Sequence, residues 1–459
     1  MKRSKRNKMQ QQGFAEQLNL FSLDMSAVAA QPLPILTEEK EVVIEVESET
    51  SVELQVITSI PHVQAENYHY QADHDLIANG AKTKCRNNIA AIELLKAIEK
   101  EHRPATQEEQ IILARYIGWG GLAEALTPNK AGWEKEYETI SALLTADELK
   151  KAQESTLTAF YTNHDIIQKL FEWLDMIGFK GGNILEPSMG VGNFFSCLPE
   201  SMSNSKLYGV ELDSISGRIA KLLYPTANIQ IKGFEETDFE DQFFDLVIGN
   251  VPFGNLKVVD NRYKRYHFSI HNYFIAKSLD KLRPGGILAV LTSKWTLDQQ
   301  SSKVRQYIAE RANLIGIIRF PNTAFKQTAG THAVEDLMIL QKKEYGKESL
   351  SDSSDWMEIL ETFDGVPVNE YFLQHPKHLL GKMAFAKDRM YGDTKETTCE
   401  PVHGVAWMDQ YTEVLHELSH HVTYEEPLFS YDEEQTATNA ISADLQTKNF
   451  SSTVVDNQL

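Results

Sequence analysis

Phe243-Phe244-Asp245-Leu246-Val247-Ile248-Gly249-Asn250-Val251-Pro252-Phe253-Gly254 is an apolar run that ends in an asparagine, a proline and an aromatic ring. The run reads as a buried strand. A strand that delivers Asn-x-Pro-aromatic at its C-terminal end can hold a planar amino group. The Asn250 side-chain carbonyl and the Val251 backbone carbonyl each accept one N–H. Pro252 fixes the backbone so that the two acceptors converge, and Phe253 offers a stacking face for a heterocycle. Read alone, the stretch is simply a strand followed by a Pro-Gly turn, because Asn and Pro are ordinary turn residues. What decides against that reading is a second glycine-rich stretch about sixty residues upstream.

That stretch is Ile184-Leu185-Glu186-Pro187-Ser188-Met189-Gly190-Val191-Gly192-Asn193-Phe194. It reads as strand, glycine turn and helix start. Gly190 and Gly192 let the backbone come close to a ligand. The next strand, Tyr208-Gly209-Val210-Glu211, ends in an acid about twenty residues on, where a ribose-binding carboxylate is expected. Phe195 replaces the third glycine of a dinucleotide fingerprint, and Glu186 ends the first strand just before the turn. A carboxylate there suits a cationic ligand better than a pyrophosphate. S-adenosylmethionine, with its ammonium and sulfonium, fits; a helix N-terminal charge is the structural alternative for Glu186.

Working outward, strands are expected at 183–186, 206–211, 228–231, 244–249, 287–292, 315–319 and 336–341, with helical stretches such as 271–282 and 300–312 between them. Asn163 is placed to cap a helix whose apolar face carries Ile166, Ile167, Leu170, Trp173, Leu174 and Ile177. The alternation predicts an α/β fold, a doubly wound Rossmann-like sheet with ligands outside the strand C-termini. Residues 156–345 are expected to form this domain. A small helical accessory module is expected over 76–155, from the periodicity of 85–101 and the capping boxes at Thr106 and Thr145. Its Gly118-Trp119-Gly120-Gly121 reads as a tight turn that packs Trp119, with contact to a ligand or DNA as the alternative. Residues 1–75 and 425–459 are polar and read as a disordered leader and tail. Residues 346–424 read as a partly ordered C-terminal extension.

The 459 residues carry a net charge of −20, but much of the acid sits in Glu38 to Glu53 and beyond Glu425. The whole-chain value therefore says little about the middle. The three cysteines, Cys85, Cys197 and Cys399, are far apart, which fits a reduced, cytoplasmic protein without structural zinc. No run approaches the ~18 apolar residues of a spanning helix, and the basic N-terminus has no apolar stretch behind it as a signal peptide would.

With these residues in place, the chain resembles the N6-adenine DNA methyltransferases of the γ arrangement. There an aromatic-Thr motif precedes the cofactor glycines, and Asn-Pro-Pro-aromatic follows. Here the order is Phe160-Tyr161-Thr162, then Glu186 to Phe194, then Asn250 to Phe253. The resemblance is closest to the methylase segment of large methylase/SNF2-helicase proteins of bacterial conjugative elements and phages. ARYIGWGGL, ILEPSMGVGNFF, LYGVELDSISGRIAKLLYP, IGNVPFGN, SIHNYFIAKSLDKLRPGG and PNTAFK look like that group, over roughly residues 76–385. The resemblance implies a seven-stranded methyltransferase sheet with an antiparallel last strand, S-adenosylmethionine as cofactor and duplex DNA as substrate.

It also implies roles. Asn250, Val251, Pro252 and Phe253 would hold a flipped adenine. Tyr161, Thr162, Glu186, Pro187, Gly190, Gly192 and Glu211 would bind cofactor. Glu235 would accept from the cofactor adenine, with Asp238 as rival. Lys257, Arg262, Lys264 and Arg265, interleaved with aromatics, read as a DNA-contacting loop or a charged surface loop. Phe325 reads as a second stacking face or a core phenylalanine. His267 and His271 have metal-pair spacing without a carboxylate pattern, so no metal is expected. Two departures stand out. Val251 occupies the first proline position, and neither a target-recognition domain nor a helicase is apparent. The chain thus reads as a split, truncated or reduced form working with a separate recognition or helicase chain. The rival of another class is a catalytically weak DNA-binding scaffold; a further alternative is methylation of a protein glutamine or an RNA base.

Overall fold

A computed structural model describes residues 66–74, 76, 80–156, 162–254, 256–325, 333–344, 353–386 and 396–425. Seven strands form one sheet in the order β3-β2-β1-β4-β5-β7-β6. They are β1 (Asn183–Glu186), β2 (Lys206–Glu211), β3 (Asn228–Ile231), β4 (Phe244–Asn250), β5 (Leu282–Ser293), β6 (Ala312–Arg319) and β7 (Glu335–Lys342). β1 to β5 pair in parallel, and β7 runs antiparallel between β5 and β6. This is the seven-stranded methyltransferase sheet expected from the sequence.

The central strands are apolar on both faces because helices cover both. Every residue of β4 from Phe244 to Gly249 is buried, as parallel strands between two helical layers require. Reversal of strand order between β1 and β4 opens a crevice at their C-terminal ends. Glu186, Glu211 and Asn250 end β1, β2 and β4 at that edge. β7 runs the other way, so its first residue, Glu335, arrives at the same edge, opposite Ser293 of β5.

Four α-helices form the helical module: α1 (Ala81–Glu101), α2 (Gln107–Ala114), α3 (Glu134–Leu143) and α4 (Ala146–Ser155). Both expected capping boxes form: Thr106 and Thr145 accept from the Glu109 and Glu148 backbones, and those glutamates reach back. Next come α5 (His164–Met176), α6 (Asn193–Ser196), α7 (Ser214–Leu223) and α8 (Ile270–Lys281). Asn163 caps α5 by accepting from Asp165 N. Ile166, Ile167, Leu170, Trp173 and Leu174 are buried along α5, each worth ~1.5–3 kcal/mol of transfer free energy.

The helical module is fastened to the sheet domain. Arg218 of α7 bonds Glu99 at 2.6 Å and Glu148 at 2.8 Å. Gln110 donates to the carbonyls of Leu222 and Leu223 at 3.1 and 3.4 Å.

One expected boundary moves. Residues 66–74 belong to the folded body, not to a leader ending at 75. Tyr68 N donates to Leu223 O at 2.7 Å, Tyr70 N donates to Ser196 O at 2.8 Å, and the Tyr70 ring stacks on His164 at 4.0 Å. The extension also contains a thirteen-residue helix, Trp407–Ser419, with Tyr411, Val414, Leu415 and Leu418 buried against α5 and β6. Among the described residues, no helix is long and apolar enough to cross a membrane.

Candidate active site

A cavity of about 520 Å³ opens at the C-terminal edge of β1 to β4. The glycine turn forms its floor. Met189 N donates to Val210 O and Gly192 N to Met189 O, which folds the turn tightly between β1 and α6. Gly190 sits at φ 55° and Gly192 at φ 86°, conformations costly for any residue with a Cβ. A Cβ at Gly192 would lie 2.4 Å from the buried Tyr224 ring, whose hydroxyl donates to Gly192 O at 2.6 Å. Gly190 lines the cavity itself; Gly192 instead holds the turn to the core.

Two acids face this floor. Glu211 accepts from Gly190 N at 2.8 Å and Asp213 N at 2.7 Å. It thereby fixes the turn, a role the sequence reading did not assign. Burial and the nearby Asp213 push its carboxyl up to about 7 against backbone bonds from Asp213, Gly190 and Leu212. Glu186 is 2% exposed, and its Oε2 has no hydrogen-bond partner among the described residues. Burial first, and Glu211 second, raise it well above the usual carboxylate range. Glu235 also lines the cavity. Its rival Asp238 is 88% exposed beside Lys232.

At the other end lie Asn250, Val251, Pro252 and Phe253. The Asn250 amide donates to Thr162 Oγ1 at 3.3 Å and to Glu335 Oε2 at 3.2 Å. Both amide hydrogens are therefore engaged, and the side-chain carbonyl is the group left to accept. Val251 N donates to Leu291 O at 3.0 Å, continuing the ladder past β4. The Val251 side chain is buried in the core, so an apolar residue there suits packing. Thr162 is buried at the junction: its carbonyl accepts from Asn193 Nδ2 at 3.2 Å while its hydroxyl meets Asn250. Tyr161 lies outside the described residues.

The far wall comes from the helical module, through Tyr116, Gly118, Trp119, Lys151, Glu154 and Ser155. Asn88 of α1 shapes this wall: it accepts from Ile117 N at 3.0 Å and donates to Gly118 O at 2.5 Å. Trp119 is buried and meets Tyr116 edge-on at 6.5 Å. The tight turn thus packs its tryptophan and also borders the cavity.

The loop after Phe253 divides. Lys257 lines the cavity, and exposed Leu256 lies beside it. Arg262 is bound to Asp241 at 2.8 Å and Asp280 at 3.1 Å, so it fastens the loop instead of projecting freely. Tyr263 and Tyr273 anchor it further, donating to Asp280 and Asp260. Lys264 is exposed, and exposed Arg265 lies over the Tyr266 ring at 4.7 Å. Phe325 is buried against Phe320 at 5.5 Å, outside the cavity lining, which is the core alternative for that residue. His271 is buried on Ser269, and burial lowers it to about 4, while His267 is exposed. Among the described residues, no three His, Cys, Asp or Glu side chains cluster as a metal site.

Residues 203–325 match the Eco57I restriction-modification methylase family. The chain is 29% identical over 261 residues to the defense against restriction protein B of Escherichia phage P1, covering 56% of this chain and 10% of that protein. Over 105 residues it is 37% identical to the type II methyltransferase M.CvrRI of Paramecium bursaria Chlorella virus XZ-6E, covering 23% of this chain and 27% of that one. The chain thus spans a small part of the relatives it matches. A type I restriction-modification methyltransferase subunit from Streptococcus thermophilus aligns in structure at 12% identity and TM-score 0.35, covering 74% of this chain and 75% of that one.

Proposed function

We propose that the chain transfers a methyl group from S-adenosylmethionine to the N6 amine of an adenine flipped out of duplex DNA. The observation that carries this reading is the disposition of Asn250. Its amide hydrogens are held by Thr162 and Glu335, so its carbonyl is the acceptor offered to an incoming amine, within the same cavity as the glycine turn. The restriction-modification relatives support the reaction class.

The residues present fit the cofactor. The orphaned, buried Glu186 Oε2 is a receptor for a cation, and a cationic group there would satisfy an otherwise costly carboxylate. Gly190, Glu211 and Glu235 line the cavity, and there Glu211 would receive ribose donors and Glu235 an adenine donor. When bound, S-adenosylmethionine supplies an electrophilic methyl group on a cationic sulfur.

The chain's own part is then positional. Asn250 Oδ1 and the Val251 carbonyl accept the two N–H groups of the target amine, which keeps its lone pair directed toward the cofactor site. Phe253 stacks on the extruded ring. Lys257, at the cavity rim, meets the DNA backbone, with Lys264 and Arg265 further along the loop. The bound cofactor would supply the methyl group and leave as the neutral thioether, and the methylated amine would give up one proton to solvent. A separate recognition or helicase chain would supply target selection.

The test is incubation with labelled S-adenosylmethionine and duplex DNA, RNA and protein in parallel. N6-methyladenine by mass spectrometry in the DNA arm supports the reading. Label confined to RNA or protein overturns the substrate. No transfer to any of the three, with partner chains supplied, leaves the scaffold reading in its place.

A further inference from the structure

Asn250 is symmetric in shape: turning its carboxamide over exchanges carbonyl and amide with little change in packing. Only one orientation can receive an amine. Something must choose between them. Thr162 cannot, because a hydroxyl donates or accepts as required. The other neighbour is Glu335, which an ionised state makes an acceptor only.

We propose that Glu335 is the positioning residue for Asn250: its carboxylate takes the Asn250 amide hydrogen and so fixes the carbonyl toward the target amine. The proposal rests on the functional reading above and deepens it. Three observations support it. Glu335 Oε2 is 3.2 Å from Asn250 Nδ2, across 85 positions of sequence. Glu335 is 1% exposed, and its Oε1 has no hydrogen-bond partner among the described residues, so Asn250 is the one side-chain partner holding the group. A buried carboxylate with a single neutral partner is a poor structural choice, which points to a role other than stability.

The surroundings leave Asn250 as the group Glu335 acts on. On its own strand the neighbouring Asp336 is occupied by Arg319 at 2.7 Å, and Arg319 also binds Asp298. From β6, Phe320 N bonds the Glu335 backbone carbonyl, not its side chain. From β5, Ser293 stands opposite, and the following Lys294 directs its Nζ to Thr397. No cation therefore neutralises Glu335 among the described residues. Burial pushes its carboxyl up to about 8; the Asn250 bond opposes this and Asp336 adds to it. A hydrogen bond to a carboxylate also polarises the carboxamide and strengthens its carbonyl as an acceptor. Protonation removes that polarisation and gives Glu335 a donor, with which the pair can reverse.

The test follows the Asn250 carboxamide directly. The full chain, labelled with ¹⁵N-asparagine, is titrated from pH 6 to 9.5, and the Asn250 side-chain signal is identified by its loss in Asn250→Ala. In wild type the signal should titrate with one midpoint between about 7 and 9, and in Glu335→Gln it should be present and flat. A wild-type signal that does not titrate, or the same titration in Glu335→Gln, overturns the proposal. Single-turnover methylation of duplex DNA gives the second readout. The wild-type rate should climb through the same midpoint. Glu335→Gln should lose that limb and run at least ~10-fold slower at pH 8.5, with cofactor affinity unchanged. An equal rate in a folded Glu335→Gln chain overturns the catalytic part. A coupled Asn250 signal in a chain that methylates no DNA supports the Glu335–Asn250 clamp and refutes the functional reading, so the two failures are distinct.

Discussion

Affinity for S-adenosylmethionine should rise with pH between 6 and 7.5 and then turn over. On the proposed reading Glu186 and Glu211 would receive the ligand's donors as carboxylates, yet burial raises both, Glu211 to about 7. A ligand that requires the ionised form sees its apparent dissociation constant multiplied by 1 + 10^(pKa − pH). For Glu211 that factor is about 11 at pH 6 and about 1.3 at pH 7.5, an improvement of about eightfold or ~1.2 kcal/mol. Glu186 adds to it in the same direction. The upper limb belongs to the ligand, whose α-amino group loses its charge near pH 7.7–8.0.

The sign can be read independently of affinity. Binding to the deprotonated protein releases protons, so below pH 7 the calorimetric enthalpy should vary with buffer ionisation enthalpy in the sense of release. Glu211→Gln should flatten the rise, and Glu186→Gln should weaken binding at every pH because the cation then meets a neutral amide. Affinity that is flat or falling from pH 6 to 7.5, or proton uptake on binding, would refute the assignment of these acids to the ligand.

Asn250→Ala should leave the melting temperature and cofactor affinity nearly unchanged while methyl transfer to adenine falls at least ~100-fold, a barrier increase of ~3 kcal/mol, read as N6-methyladenine by mass spectrometry; Phe253→Ala should lose ~1–3 kcal/mol of base stacking. Gly192→Ala should destabilise by ~2–4 kcal/mol in denaturant unfolding, from left-handed strain plus collision with Tyr224; a loss below 1 kcal/mol would show that the turn relaxes. Deleting residues 1–75 should lower the melting temperature, because Tyr68 and Tyr70 are removed from α7 and α5, and an unchanged midpoint would mean that these contacts stabilise nothing. Glu335→Gln should raise stability at pH 8.5, by up to roughly 4 kcal/mol. A carboxyl held up to about 8 binds its proton more tightly folded than unfolded, so wild-type stability falls as pH rises from ~4.5 to 8 and the gain should vanish near pH 4.5.

The sheet was legible because its signals are local. The strands expected at 183–186, 206–211 and 228–231 have the observed ends: β1 and β2 carry their burial in their own residues, and the edge strand β3 alternates polar with apolar. The glycine turn was legible for the same reason: it is a contiguous motif whose left-handed backbone at Gly190 and Gly192 favours glycine. Contacts that close over long distances were not. Glu335 fell just outside the strand expected at 336–341; only the antiparallel direction of β7 brings it to the edge where β4 ends. Asn88 sat on an apolar helix face with nothing to indicate that it clamps Gly118 from 30 positions away. Arg262 looked like a DNA-facing cation because the acids that hold it, Asp241 and Asp280, come from other elements. The helix at Trp407–Ser419 was obscured by the polar sequence around it.

The acids of the cavity make a connected argument about what the site gives up. A folded protein gains by pairing its buried carboxylates or removing them. Here Asp336, Asp298 and Asp245, which lie away from the cavity, are paired with Arg319 or Arg283. Glu186, which lines the cavity, and Glu335, which meets Asn250 at the sheet edge, are not: each keeps one oxygen without a partner among the described residues. The same chain therefore satisfies its buried acids where only stability is at stake and leaves them exposed to need at the crevice. That pattern is expected of a site that completes itself with its ligands, a cation over Glu186 and an amine held through Asn250 by Glu335. Helical-module residues form the far wall, so the wall and the sheet edge bound the cavity together. The ties between them, Arg218 to Glu99 and Glu148 and Asn88 to Gly118, then belong to the site as much as to the fold.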